Sequence, residues 1–177
     1  MSEINRATTI LTNTALELDR HYSRKLDSAS LLAEIDRSLS PPIQPKHFAP
    51  IDQLHLGGRQ ATIQLLDTLQ LSAGQRVLDV GCGLGGSARL IAERYGCDVT
   101  GIDITTEFCS LADALNQRLT AALPVNFVQA DAASLPFSNH SMELVISQHC
   151  MMNLPSPDQA LSEFRRLLSD NGKLVLH

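Results

Sequence analysis

The stretch VLDVGCGLGGSAR, residues 77–89, places four glycines among six consecutive positions directly after a short apolar run. An apolar run that leads into a glycine-rich turn and then a helix is typical of the first strand, turn and helix of a parallel α/β unit. Glycine is used in such a turn because the backbone bends sharply and comes very close to a ligand. The stretch therefore constrains both the fold class and the place of a functional site.

The glycine spacing fits two ligand-binding patterns. The pattern G-x-G-x-x-G, which is typical of dinucleotide sites, is met by Gly81, Gly83 and Gly86. The pattern D-x-G-x-G-x-G, which indicates a nucleoside-type ligand, is met by Asp79, Gly81, Gly83 and Gly85. The rest of the chain has to distinguish between them.

Short apolar strands alternate with helices from Arg76 onward. The predicted strands are Val77–Val80, Cys97–Ile102, Val125–Gln129, Leu144–Ser147 and Lys173–His177. The predicted helices between them run from about Ser87 to Tyr95, from Glu107 to Leu119, and from Pro157 to the turn Asp170-Asn171-Gly172. Short strands that are buried on both faces and separated by helices predict an α/β fold with a Rossmann-like, doubly wound parallel sheet.

The helix after Ser156 has the clearest start signal in the chain. Ser156 and Gln159 have the spacing of a capping box, and Pro157 suits the first helical position. We expect the side chain of Ser156 to accept a hydrogen bond from the backbone N–H of Gln159. The apolar stripe of this helix is expected to reach as far as Leu168.

The first 50 residues predict a separate helical segment. Apolar residues recur at helical spacing within residues 1–40, and four prolines between Pro41 and Pro50 then interrupt any continuous helix. The sequence therefore predicts two parts, a helical cap segment at residues 1–50 and a ligand-binding domain at residues 51–177. Residues 1–60 are expected to act as a mobile cap over the ligand.

Composition and charge disfavour several classes of function. The 177 residues fit one domain, and the net charge of −5 without a Lys/Arg cluster argues against a nucleic-acid partner. No apolar stretch is long enough to span a membrane, and the N-terminus lacks a basic stretch followed by an apolar one. The four cysteines form no C-x-x-C pair. We therefore expect a cytoplasmic protein with reduced thiols, no membrane contact and no metal site.

Three carboxylates accompany the first three predicted strands. Asp79 precedes the glycine turn, Asp103 ends the second strand 22 residues after Gly81, and Asp131 follows the third strand. The carboxyl ends of parallel strands meet at one edge of a sheet, and ligands bind there where the strand order reverses. An acid at the position of Asp103 is expected to bind a ribose diol. An acid at Asp131, beside the small Ala132, can accept the amino hydrogens of an adenine ring.

The sign of the charge separates the two candidate ligands. A dinucleotide places a pyrophosphate on the glycine turn and the helix N-terminus, and Asp79 would repel that anion. S-adenosylmethionine carries a sulfonium and an ammonium group and no phosphate, so a carboxylate beside it is favourable. The chain also lacks the Tyr-x-x-x-Lys pair of short-chain reductases. These observations favour S-adenosylmethionine, and an NAD(P)-dependent oxidoreductase is the less favoured alternative.

Four stretches, VLDVGCGLGG, GCDVTGID, QADAASLPF and FRRLLSDNGKLVLH, resemble in their order and spacing a class I S-adenosylmethionine-dependent methyltransferase. The resemblance covers residues 50–177 and is strongest to the small-molecule branch, that of the ubiquinone/menaquinone-type and sarcosine/dimethylglycine-type methyltransferases. It implies transfer of a methyl group from S-adenosyl-L-methionine to a small-molecule acceptor, with S-adenosyl-L-homocysteine as the product.

The resemblance also implies which residues bind the cofactor. Together with Asp79 they are Gly81, Gly83 and Gly85 at the methionine part, Asp103 and the adjacent Ile104 at the ribose, Asp131 and Ala132 at the adenine, and Gln148 on the other side. One departure is visible, since Asn171-Gly172 stands where the family usually has Gly-Gly. Because Asn tolerates a left-handed backbone, we expect this departure to have little effect.

Two histidines are candidates for further roles. The fourth strand is expected to bring Gln148 and His149 beside the transferred methyl group. Methyl transfer needs a general base only if the acceptor must lose a proton, and an imidazole suits that task near neutral pH. We expect His149 to be this base. His55 lies in DQLHLGG, a stretch that resembles the segment that closes over the cofactor in related enzymes, and is expected to contact the cofactor.

The sequence ends at His177, inside the predicted fifth strand, whereas the resemblance implies further strands beyond it. Three explanations stay open: a fragment of a longer protein, a partner such as a second copy that covers the exposed sheet edge, or a truncated chain. A truncated chain would be a module that binds S-adenosylmethionine without turnover, which is a function of a different class.

Overall fold

The computed structural model describes residues 27–53 and 57–177. The predictions made for residues 1–26 and for His55 lie outside these ranges. The helices are α1 (Ser28–Ser38), α2 (Ala49–Asp52), α3 (Gly58–Asp67), α4 (Gly86–Tyr95), α5 (Thr106–Gln117) and α6 (Pro157–Leu167), with short 3-10 turns at Pro45–Phe48 and Met151–Asn153. The strands are β1 (Arg76–Val80), β2 (Asp98–Asp103), β3 (Val125–Gln129), β4 (Met142–Ser147) and β5 (Leu168–Leu176).

The five strands form one sheet in the order β3-β2-β1-β4-β5, and every pairing is parallel. Successive residues of β1 point to opposite faces, as the pleat requires. Val77 belongs to a buried cluster with α4, whereas Leu78 belongs to a cluster with α6. Because helices cover both faces, the predicted doubly wound α/β sheet is confirmed.

The boundary between α6 and β5 differs from the prediction. The helix ends at Leu167, and Leu168 already has an extended backbone and pairs with Met142 of β4. An irregularity follows, after which Lys173 pairs with Leu144. The prediction that the helix continues past Leu168 is wrong, because backbone pairing with β4 prevails over the helical spacing of the apolar residues.

The start of α6 is confirmed in position but not in its cap. Pro157 occupies the first turn of the helix, as predicted, with Ser156 as the residue before it. The side chain of Ser156 makes no capping hydrogen bond, so the predicted capping box is wrong. Ala160, Phe164 and Leu167 are fully buried, and the packing of this face against the sheet stabilises the helix.

The described part of the N-terminal segment lies against α5. Ile35 and Phe48 form a buried cluster with residues of that helix. Asp36 makes an ion pair with Arg118 at 2.6 Å between Oδ1 and Nε. The backbone N–H of Ile43 donates to Thr120 Oγ1 at 2.7 Å. The segment is therefore attached to α5 on both sides of the prolines, and the predicted boundary at residue 50 stays a prediction.

Within the described ranges, no helix combines the length and the apolar character that a membrane crossing requires.

Candidate functional site

A crevice opens at the carboxyl ends of β1 and β4, where the strand order reverses. It contains two cavities, of about 220 Å³ and 270 Å³, which we call the first and the second cavity. Gly81, Gly83 and Phe108 line both. The two cavities are therefore neighbouring parts of one site.

The glycine turn between β1 and α4 forms the wall that the two cavities share. Gly83 has a φ of 52°, and a Cβ placed on it would meet nothing within 4 Å. Its lack of a side chain thus leaves space for a ligand and permits the left-handed backbone. Gly85 has a different reason to be glycine, because a Cβ there would collide with the ring of Phe127. Gly85 is not among the described residues that line the cavities, although it was predicted to approach the ligand.

Asp103 joins the end of β2 to the glycine turn. Its Oδ2 accepts a hydrogen bond from the backbone N–H of Gly83 at 3.0 Å, and its Oδ1 accepts one from the N–H of Thr105 at 2.9 Å. Burial raises the pKa of this carboxyl, and the two backbone bonds oppose the rise. The first cavity is lined by Asp103, Ile104, Asp131 and Ala132, so the structure brings together the residues that the sequence predicted for the ribose and the adenine.

Asp79 lies at the second cavity. The residue is only 2% exposed, and its Oδ2 has no hydrogen-bond partner among the described residues. Burial, followed by the nearby charge of Asp103, raises the pKa of Asp79 to about 7. A buried carboxylate oxygen without a partner is costly. A cationic ligand group in the second cavity would supply the missing partner.

The structure separates Gln148 from His149. Gln148 lines the second cavity, where its Oε1 accepts a hydrogen bond from Ser87 Oγ at 3.0 Å. His149 lines the first cavity, with a φ of 53°. Its backbone N–H donates to the carbonyl of His177 at 2.7 Å, and the two imidazole rings meet edge to face at 4.9 Å. The two residues therefore line neighbouring cavities of one crevice, and their position beside the transferred methyl group stays a prediction.

Asp52 is a site residue that the sequence prediction missed. It is the first residue of DQLHLGG, the stretch from which His55 was chosen, and it lines the second cavity. A Cβ on Gly86, the first residue of α4, would lie 2.8 Å from Asp52 Oδ1. A carboxylate of the protein itself therefore lies beside the first residue of α4, close to the helix N-terminus at which anionic ligands bind.

Phe108 and Cys150 were also missed. Both line the first cavity, and Phe108 also lines the second. An aromatic residue in the first turn of a helix resembles a core residue in sequence, so no signal distinguished Phe108. Cys150 packs against Gly81 so closely that a Cβ on the glycine would collide with the thiol.

The fold and the site define a class of protein, and the comparison with known families agrees. Residues 78–176, more than half of the chain, match the family described as a methyltransferase domain. The chain belongs to this methyltransferase family.

Particular relatives are similar to the chain over about two thirds of its length. Methyltransferase GfsG of Streptomyces halstedii is 33% identical over 126 residues, which are 71% of this chain and 45% of GfsG. Phosphoethanolamine N-methyltransferase 2 of Haemonchus contortus, solved in complex with S-adenosyl-L-methionine, is 30% identical with a TM-score of 0.64, and the match covers 68% of this chain and 28% of that one. The [4+2]-cyclase SpnF is 30% identical with a TM-score of 0.60, and the match covers 66% of this chain and 43% of that one.

The chain thus spans less than half the length of each of these relatives.

Proposed function

We propose that the domain binds S-adenosylmethionine in the crevice and transfers its methyl group to a small-molecule acceptor. The observation that carries this proposal is Asp79, a buried residue that lines the second cavity and whose Oδ2 has no hydrogen-bond partner among the described residues. A cavity with such an acid suits a ligand that ends in an ammonium group and carries no phosphate. The complex of the Haemonchus relative with S-adenosyl-L-methionine supports the same ligand.

The residues present fit this cofactor. In the first cavity, Asp103 and Ile104 would hold the ribose, and Asp131 with Ala132 would hold the adenine. In the second cavity, Asp79 with Gly81 and Gly83 would hold the methionine part, and Gln148 would line its other side. The bound cofactor supplies an electrophilic methyl group on its sulfonium. The protein aligns donor and acceptor and excludes water, which are the main demands of an in-line displacement.

A dinucleotide is the alternative that the glycine spacing left open, and Asp52 argues against it. A pyrophosphate would bind at the N-terminus of α4, where the Asp52 carboxylate lies beside Gly86 and would repel it. Isothermal titration calorimetry with S-adenosylhomocysteine and with NADH tests the proposal. We expect binding of the first and not of the second. Binding of NADH in preference to S-adenosylhomocysteine would refute it.

A binding module without turnover is the second candidate function. SpnF, which is similar to the chain, is named as a cyclase, so likeness to this fold does not by itself establish methyl transfer. Incubation with S-adenosylmethionine and panels of amine, carboxylate and hydroxyl acceptors separates the two candidates. Formation of S-adenosylhomocysteine with an acceptor supports methyl transfer. Binding without any product in every panel supports the module.

His149 remains our proposed general base for acceptors that must lose a proton. His149→Asn is the informative variant, because Asn tolerates the φ of 53° at this position better than Ala does. Loss of a general base lowers the rate by about 10²–10⁴, and we expect the affinity for S-adenosylmethionine to stay near that of the unchanged protein. A variant that keeps most of its rate would mean that His149 only shapes the wall of the first cavity.

The predicted small-molecule acceptor and cytoplasmic location belong to this proposal. The phosphoethanolamine relative is named for a small acceptor. All four cysteines are free thiols in the structure, which agrees with a reducing compartment.

A further inference from the structure

Arg89 in α4 is the largest fully buried side chain of the described residues. Its guanidinium donates to three groups on three different elements. Nη1 donates to the carbonyl of Ala112 in α5 at 3.0 Å. Nη2 donates to Asp52 Oδ2 at 2.8 Å and to the carbonyl of Leu84 in the glycine turn. The guanidinium thus joins the N-terminal segment, the glycine turn and α5 at one point.

Aromatic rings enclose the same guanidinium. Its central carbon lies 5.6 Å from the ring centroid of Phe48 and 5.8 Å from that of Phe127, distances suited to cation–π contact. The side chains of Arg89 and Asp52 are 0% and 2% exposed. Burial lowers the pKa of Arg89 and raises that of Asp52, so it opposes the charged form of both. The geometry of this ion pair is therefore fixed closely by its surroundings, at a cost in desolvation.

The ion pair touches one cavity and not the other. Asp52 and Leu84, which the guanidinium links, both line the second cavity. Neither lies among the described residues that line the first cavity, which contains Asp103 and Asp131. A change in the ion pair should therefore alter the second cavity more than the first, which it reaches only indirectly, through the glycine turn and α5.

We propose that Asp52 and Arg89 form a positioning pair that sets the shape of the second cavity, and through it the binding of the amino-acid end of the cofactor. Arg89 holds the carbonyl of Leu84 and the carboxylate of Asp52 in a fixed relation to each other. The glycine turn and α2 then keep a constant separation across the cavity. The inference rests on the proposed function, because it assigns the methionine part of S-adenosylmethionine to this cavity.

Two ligands that share an adenosine part test the inference. S-adenosylhomocysteine carries the amino-acid end, whereas 5′-methylthioadenosine lacks it. Arg89→Lys keeps the charge but loses the planar fork that reaches several acceptors at once. We expect this variant to lower the affinity for S-adenosylhomocysteine by about tenfold or more and to leave the affinity for 5′-methylthioadenosine unchanged, as measured by calorimetry. Asp52→Asn, which keeps the size of the side chain, should act in the same direction.

Arg94→Lys is the matched control. Arg94 lies in the same helix and pairs with Asp67, but their side chains are 47% and 46% exposed, and neither residue lines the first or the second cavity. We expect this variant to bind both ligands with unchanged affinity. Far-UV circular dichroism shows whether each variant is folded. If Arg89→Lys does not fold, Asp52→Asn decides the test.

An equal loss of affinity for both ligands in the folded variants, or no loss of affinity for either, would overturn the inference. The ion pair would then have a structural role only. If the unchanged protein bound neither ligand, the proposed function itself would fail instead.

Discussion

Asp103 uses both carboxylate oxygens to hold backbone, one from the glycine turn and one from the start of α5. A ribose bound there would share these oxygens with the two N–H groups. The carboxylate therefore connects the ligand to the turn that forms the shared wall of both cavities.

Replacing Asp103 should weaken the binding of the cofactor. Asp103→Ala removes charge-assisted hydrogen bonds worth about 1.5–3 kcal/mol, or roughly tenfold or more in the dissociation constant of S-adenosylhomocysteine. Asp103→Asn should be milder, because the amide still accepts one bond. Asp98→Ala is a suitable control, since Asp98 is an exposed residue at the opposite end of β2. A dissociation constant that stays the same in Asp103→Ala would contradict the assignment of the ribose to this residue.

The raised pKa of Asp79 predicts a pH dependence. Its pKa is about 7 in the folded chain against 3.8 as the ordinary value. Between these values the folded chain holds a proton that the unfolded chain has lost, so this group lowers the free energy of unfolding as the pH rises from about 4 to about 7. A cationic ligand group favours the ionised carboxylate. Binding of S-adenosylhomocysteine should therefore release a proton near pH 7 and become tighter as the pH rises through this range.

Calorimetry in two buffers that differ in ionisation enthalpy measures this proton release. Asp79→Asn should abolish it and flatten the pH dependence of the affinity. Release of the same number of protons by the unchanged chain and by Asp79→Asn would show that another group is responsible.

At the scale of the elements, strands were predicted well where they are apolar and buried. Val125–Gln129 is confirmed residue for residue, whereas β1 begins one residue earlier than predicted and β2 is displaced by one residue at both ends. The start of β5 was missed because Leu168 continues a helical stripe in sequence. The extended backbone of Leu168 depends on its pairing with Met142, 26 residues earlier in the chain, and local spacing carries no information about that pairing.

The carboxylates of the site were predictable, and the positioning pair was not. Asp79, Asp103 and Asp131 follow from the rule that ligands bind at the ends of parallel strands. Arg89 lies between apolar residues of a helix, and an arginine in such a sequence ordinarily reaches solvent. Only the tertiary structure brings it to Asp52. Likewise, nothing in the sequence signals the left-handed backbone at His149, because this conformation is uncommon for residues other than glycine.

The N-terminal segment provides a prediction at this scale. Ile51 and Asp52 in α2 line the second cavity, so a ligand there should hold α2 in place. We expect amide hydrogen exchange in Ala49–Asp52 to slow when S-adenosylhomocysteine is added. Peptides from Ser28–Ser38, which contribute no residue to the lining of either cavity, serve as the reference. Equal exchange in α2 with and without the ligand would argue against a cap that closes over the site.

At the scale of the whole molecule, β5 is the edge of the sheet within the described ranges, and it pairs with β4 alone. Leu174 and Leu176 on this strand are 39% and 46% exposed. Exposed apolar edge strands favour association with a second strand. A second copy of the chain, which is one of the three explanations that the sequence left open, would cover this edge.

Analytical ultracentrifugation tests the homodimer. We expect the unchanged chain to associate as its concentration rises and Leu174→Lys to stay monomeric, because a charge on the edge opposes pairing. Met152→Lys is the control, since Met152 is 75% exposed and lies outside β5. A chain that is monomeric at every concentration would contradict the dimer.

The reversal of strand order between β1 and β4 also has a consequence for the order of folding. Val80 pairs with Ile102 on one side and with Ser147, 67 residues away, on the other. Closing the longer loop costs more chain entropy, so β4 is expected to join after β1, β2 and β3 have paired. The crevice lies between β1 and β4 and does not exist before that step. A ligand therefore cannot accelerate the early pairing, and it acts instead by slowing the separation of β4 from β1 during unfolding.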